Sequence, residues 1–251
     1  MEKISVTIIC RNEEKNIEEC IGGVLWADEI VVIDAFSTDK TVEIASKFNV
    51  RIIQNEWLGF AKQREFALSK CNNDWVFSID ADERCTPELE KEIKDTLNSS
   101  SNKFSGFKIP RKNFFLGKWV KHCGWYPGYQ LRLFNKSCIK VTDRLIHEGY
   151  DLNSEPGILK NDLIHFTVQS IDDYMTRVNH YSTMQALEKL GRKNVKFRDI
   201  FLRPLSAYLQ QYFFKGGFLD GITGLMVVNF HVMTNMLTYM KIWEMQNKKN
   251  T

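Results

Sequence analysis

An α/β fold on a mostly parallel central sheet, followed by a C-terminal helical region, is predicted by three features of this sequence. Short apolar runs alternate with stretches of helical periodicity through the first third of the chain. Each of these runs ends in polar or acidic residues, and beyond His165 the pattern turns helical. Strands alternating with helices imply parallel pairing through right-handed crossovers.

The elements follow in order. Ile4–Cys10 is an apolar run, read as a buried strand, and Lys15–Leu25 has helical spacing through Ile17, Cys20, Ile21, Val24 and Leu25. Glu29–Asp34 is a second strand, Ser37-Thr38-Asp39 offers helix caps, and Val42–Phe48 continues that helix. Val50–Gln54 is a third strand, Phe60–Ser69 a helix and Trp75–Asp80 a fourth strand. From Gly106 to Glu148 glycines, aromatics and basic residues interleave, as in irregular strands and loops that carry substrate contacts. Helices are expected over Ile171–Leu190 and Asp199–Phe214. The expected division is a nucleotide-binding domain over residues 1–165 and a helical region over 166–251.

With 43% hydrophobic and 26% charged residues the chain has a globular composition. Its 34 basic and 31 acidic side chains nearly balance, which argues against a nucleic-acid partner. The six cysteines form no C-x-x-C pair and read as free thiols of a reducing cytosol. The N-terminus enters a strand at once and shows no signal-peptide pattern, so a cytoplasmic location is expected.

In an open parallel sheet, ligands bind outside the carboxyl ends of the strands. Here those ends read Arg11-Asn12-Glu13, Asp34 and Asp80-Ala81-Asp82. Residues i and i+2 of a strand share a face, so Asp80 and Asp82 are expected to converge, with a hard cation such as Mn²⁺ or Mg²⁺ relieving their repulsion and bridging to phosphate. Asp34 suits a base N–H or a ribose hydroxyl, or else caps its own loop. Glu13 is a further candidate at the cofactor, and Arg64 is a candidate for a diphosphate. His165 is either a satisfied core histidine or a third metal ligand. Trp125 and Tyr126 either stack on an acceptor sugar or pack in the core, and Arg132 is a third candidate acceptor contact.

Several stretches resemble glycosyltransferase family 2: Val31-Val32-Ile33-Asp34-Ala35-Phe36-Ser37-Thr38-Asp39, Gly59-Phe60-Ala61-Lys62-Gln63-Arg64 and Ser78-Ile79-Asp80-Ala81-Asp82-Glu83. Gly124–Phe134, with Ile146-His147-Glu148, is similar to a branch that includes bacterial lipopolysaccharide-core β-glucosyltransferases. The resemblance runs from about Ile4 to Trp243. It implies a GT-A, Rossmann-like fold, a nucleotide-diphosphate sugar donor and inversion at the anomeric carbon. It puts Asp34 at the uridine, Asp80 and Asp82 at the metal and diphosphate, and Glu148 at the place of a catalytic base. Where many members have a second acidic residue, this chain has Ala35. A sugar nucleotidyltransferase is the rival enzyme, but Cys10-Arg11-Asn12-Glu13 lacks a glycine-rich triphosphate loop. A non-catalytic membrane adaptor on the same fold is the other rival.

Gly221–Met240 contains no Asp, Glu, Lys or Arg, but His231, Thr234, Asn235, Thr238 and Lys241 make a polar stripe at helical spacing. An amphipathic helix is expected rather than a span. Between Lys189 and Phe218 there are seven basic residues and one acidic residue, beside several aromatics. The expectation is peripheral attachment to the inner face of the cytoplasmic membrane, close to a glycolipid or lipopolysaccharide-core acceptor. A homodimer interface, or a helix packed on the catalytic core, is the alternative use of this surface.

Overall fold

Seven consecutive residues of β1 (Ile4–Cys10) are buried, so this strand is covered on both faces. The computed structural model describes residues 2–99, 103–142, 149–191 and 194–248. It divides into two compact units. The first takes in the chain up to Arg111, the segment from Gly128 and the segment ending at His165; the second takes in Lys112–Pro127 and the chain from Phe166 on.

In the first unit β1 is followed by α1 (Ile17–Gly22), β2 (Glu29–Asp34), α2 (Thr41–Ala45), β3 (Arg51–Gln54), α3 (Phe60–Ser69) and β4 (Trp75–Asp80). Then come the short β5 (Glu83–Cys85), α4 (Pro87–Asn98) and β6 (Gly106–Ile109). Helix α4 begins with Thr86 accepting from Leu89 N at 3.2 Å, Pro87 in the first turn and Glu88 and Glu90 near the amino end. Its Leu89, Ile93 and Leu97 recur every four residues and are its buried face.

β7 (Arg111–Phe115) and β8 (Lys118–Trp119) come next, followed by β9 (Gln130–Asn135), β10 (Ile139–Thr142), β11 (Gly149–Leu152), β12 (Gly157–Ile158) and β13 (Leu163–Val168). The seven-stranded sheet runs β12-β6-β9-β4-β1-β2-β3. β1 pairs in parallel with β2 and β4, and β2 with β3, whereas β9 is antiparallel to both β4 and β6. From β1 the chain moves out through β2 to β3, then returns to the other side of β1 as β4. This reversal is the switch point at which open sheets bind ligands. One cluster joins Val6, Ile8, Phe77 and Ile79 of the strands to Ile17, Ile21, Leu89 and Ile93 of the helices.

In the second unit β7 and β8 pair across Leu116 (φ 49°) and Gly117 (φ 75°). Two positive φ values define the tight turn whose twist suits a hairpin. Helices α5 (Ile171–Lys189), α6 (Phe197–Leu209) and α7 (Gly221–Asn247) follow. Val178 of α5 and Val227, Val228 and Phe230 of α7 bury with Phe115 and Val120. A Cβ on Gly224 would lie 1.9 Å from Gly217 O, so only glycine permits that approach. Among the described residues no single helix is long and apolar enough to cross a membrane.

Part of the polar stripe of α7 faces another helix. Thr238 is fully buried and its hydroxyl donates to Gln185 Oε1 of α5 at 3.3 Å. Lys241 Nζ reaches Asn179 O, Ser182 Oγ and Thr183 Oγ1 of α5 at 2.7–2.8 Å. At Thr238 and Lys241 the stripe thus faces α5, whereas Thr234 and Asn235 bond to Phe230 O and His231 O within α7. Periodicity identified the face but not its neighbour.

Candidate active site

The polar ends of β1, β2 and β4 lie along one edge of the parallel half of the sheet. Asn12 (φ 57°) and Phe36 (φ 55°) both adopt left-handed backbone in the loops after β1 and β2. The two loops are tied together: Asn12 N donates to Ser37 Oγ and Thr38 N to Asn12 Oδ1, each at 2.8 Å. Strained residues of this kind concentrate at ligand-binding edges.

Asp34 is fully buried beneath this edge. It accepts from Ser37 N at 3.0 Å, from the Ser37 hydroxyl and from Gln54 Nε2 at 3.3 Å. Of its two expected roles the structure displays loop capping. Glu13 accepts from Asn16 Nδ2 at 2.7 Å, and its carbonyl receives Asn16 N and Ile17 N at the start of α1.

A buried charge cluster closes the end of β4. Asp80 Oδ1 pairs with Arg64 Nη2 of α3 at 3.3 Å, and Oδ2 pairs with Arg132 Nη2 of β9. Arg132 also reaches Glu83 Oε1 at 2.6 Å, and Arg111 Nη1 reaches the same oxygen at 3.4 Å. Glu83 has no solvent exposure, and its Oε2 receives Asp80 N at 2.9 Å. Burial acts to raise the Asp80 pKa, but the adjacent Arg132 and Arg64 outweigh it and hold the carboxyl well below the usual range. Burial acts to lower the Arg132 pKa, and Asp80 and Glu83 more than reverse it. The guanidinium of Arg64 also lies 5.7 Å from the centre of the Tyr150 ring, whose hydroxyl bonds Ser78 Oγ at 2.7 Å.

Asp82 lies in the turn that follows Asp80. β4 ends at Asp80 and a turn intervenes, so strand alternation does not extend to Asp82. Its Oδ2 instead lies 3.3 Å from His165 Nε2, with β13 holding His165 opposite Glu83 in β5. A hard cation accepts carboxylate ligands and completes its shell with waters and phosphate oxygens. Among the described residues no three His, Cys, Asp or Glu side chains form a closed metal site. Asp82 and His165 fit a cation that substrate oxygens help to hold; the Asp80 oxygens are engaged by arginines.

Arg132, expected at the acceptor, is 4% exposed and committed to Asp80 and Glu83. Glu83 and Arg111 join the cluster although no motif or spacing in the sequence singles them out. One signal was available: Arg132 stands in an otherwise apolar run, Leu131–Phe134, and a charge inside a central strand requires a buried partner. Trp125 and Tyr126 belong to the second unit. Trp125 packs edge-on to Phe115, and its carbonyl accepts from Asn113 Nδ2 at 2.8 Å, which is a packing role. Tyr126 meets Trp119 edge-on at 5.4 Å, and Lys112 and Lys121 flank the Trp119 ring. Ile146, His147 and Glu148 lie outside the described residues.

This fold, a mostly parallel sheet with acidic and basic side chains gathered at its switch point, is that of the GT-A glycosyltransferases. The sequence matches Glycosyl transferase family 2 over residues 5–149, and the chain belongs to that family. It is 28% identical to the lipopolysaccharide core biosynthesis glycosyltransferase LpsC of Rhizobium meliloti, over 96% of this chain and 92% of that one. It is 32% identical to an uncharacterized glycosyltransferase of Rickettsia felis, over 92% and 87% of the two chains. The crystal structure of S. aureus TarS 1-349 in complex with UDP-GlcNAc shares the fold, with a TM-score of 0.51 and 15% identity, over 99% of this chain and 92% of that one.

Proposed function

We propose that this glycosyltransferase moves a sugar from a nucleoside-diphosphate donor to a lipopolysaccharide-core or lipid-linked acceptor, inverting the anomeric carbon. The observation that carries this reading is the arginine–carboxylate cluster at the end of β4 beside Asp82 and His165. Arg64, Arg111 and Arg132 balance Asp80, Asp82 and Glu83 in formal charge. A divalent cation and a doubly charged diphosphate would then enter together without leaving a net buried charge. Asp82 and His165 would hold the cation, which when bound offsets the charge that develops on the leaving diphosphate. The paired arginines fix Asp80 and supply positive potential at the same edge. The loops at Asn12 and Phe36, floored by Asp34, would receive the nucleoside. The UDP-GlcNAc in the TarS complex and the name of LpsC support a UDP-sugar donor and a lipopolysaccharide-core acceptor. Glucose is the first sugar to test, on the branch resemblance alone. Glu148 is the proposed base, which takes the acceptor hydroxyl proton as the oxygen attacks.

The test is incubation of the purified protein with a panel of labelled nucleotide sugars, Mn²⁺ and a lipid extract. Release of nucleoside diphosphate with label passing to the glycolipid fraction, in the anomer opposite to the donor's, is the expected result. Label remaining in intact donor throughout would support a non-catalytic adaptor. Transfer with retained configuration would remove the single-displacement mechanism.

A further inference from the structure

The second unit carries an apolar surface that its own packing leaves in solvent. Phe197, Phe201, Leu205 and Leu209 recur every four residues along α6 and so share one helical face. Phe213 continues the row into the π turn Gln210–Phe214. All five are exposed, and beyond them Phe214 is 86% and Ile222 72% exposed. The axis bends by 68° between Phe197–Phe214 and Gly217–Asn247, so Phe213, Phe214 and Phe218 gather at the bend. Single exposed apolar residues are ordinary; a continuous row of them marks an interaction surface.

Charge selects what covers this surface. The charged side chains from residue 194 through the first turn of α7 are Lys196, Arg198, Asp199, Arg203, Lys215 and Asp220, and the Asp220 side chain, against His122, is 6% exposed. Asp199 is 2% exposed and accepts from Lys196 N and Arg203 Nε, whereas the four basic residues are exposed. Phenylalanines bordered by cations alone match the interface of an anionic bilayer, where rings enter the acyl boundary and cations meet lipid phosphates. A two-fold interface between copies would instead bring those cations toward one another. Helix α7 packs on α5 through Thr238 and Lys241, and no single helix among the described residues is long and apolar enough to cross a membrane.

We propose that α6, the π turn and the first turn of α7 form an edge that inserts into one leaflet of an anionic membrane and holds the enzyme there. This deepens the lipid-linked acceptor reading. The test uses neither donor nor acceptor, so either idea can fail without the other. Purified full-length protein is floated with vesicles of phosphatidylcholine alone or mixed with phosphatidylglycerol.

The wild type is expected to partition at least about tenfold more strongly onto the anionic vesicles, and high salt is expected to reverse most of that gain. Phe213→Ser with Phe214→Ser should lower partitioning at least about tenfold, in line with the loss of two buried rings. Arg198→Gln should lower it about fivefold on anionic vesicles only, the worth of one surface cation. All three side chains are exposed, so the melting temperature should not change, and an unchanged value shows that the variants are folded. The proposal is overturned if the wild type ignores anionic vesicles or if the phenylalanine variant binds them equally well. It is also overturned if the wild type is a dimer in solution that this variant converts to monomer.

Discussion

Asp82→Ala is expected to lower kcat/KM by about 10³-fold or more, because the charge stabilisation that a held cation contributes amounts to several kcal/mol and each 1.4 kcal/mol is tenfold in rate. The fold should survive. Asp82 lies in the turn after β4, with its side chain 18% exposed and facing His165. The buried pairs that Asp80 and Glu83 make with Arg64, Arg111 and Arg132 do not depend on it. A melting temperature within a few degrees of wild type, with transfer lost, is therefore the expected pair of results. Transfer at the wild-type rate in the variant, or full wild-type activity in EDTA, would show that no cation works at this position.

Glu148→Gln is expected to lower turnover by roughly 10²–10⁴, the usual worth of a general base, with donor affinity unchanged to within a few-fold. The substitution keeps the size and most of the hydrogen-bonding capacity of the side chain and removes only its basicity. Arg64, Asp34 and Asp82 belong to other segments of the sequence, so the donor site should not notice the change. A structural glutamate would instead lower the melting temperature with a modest loss of turnover. A donor-binding glutamate would weaken nucleotide-sugar affinity. Measuring turnover, donor affinity and melting temperature on one variant separates the three, and near-normal turnover would transfer the search to Asp143 and Asp151.

The parallel half of the sheet was legible strand by strand, with β3 beginning at Arg51 rather than Val50 and α1 and α2 covering Ile17–Gly22 and Thr41–Ala45 rather than Lys15–Leu25 and Val42–Phe48. β1, β2, β4 and α3 begin and end where the pattern of the sequence places them. Strands buried on both faces are continuous apolar runs, and their ligand-facing ends must turn polar. Helix α4 carries its signals in Thr86-Pro87-Glu88 and in Leu89, Ile93 and Leu97 at four-residue spacing, and the reading by apolar runs passes over them. The antiparallel half was obscured by Lys108 and Arg132 inside β6 and β9, and by the register shift at Phe107/Lys108.

The candidate site was legible in its members more than in its geometry. Asp34, Arg64, Asp80, Asp82 and His165 were identified from strand ends, spacing and resemblance. Which groups face one another depends on where β4 stops and how β13 pairs with β5. Two residues of turn separate Asp80 from β5, and this sends Asp80 to the arginines and Asp82 to the histidine. No local pattern encodes that partition, because Arg132 and His165 arrive from strands far along the chain.

A cation at Asp82 and His165 would be held jointly with the donor diphosphate. Calorimetric titration of UDP into the wild-type protein, once with Mn²⁺ and once with EDTA, tests it most directly. Shared ligation makes the two binding events mutually dependent, so a coupling of 1–3 kcal/mol predicts an affinity roughly 5–150-fold higher with Mn²⁺. Equal affinity for UDP in Mn²⁺ and in EDTA would contradict it.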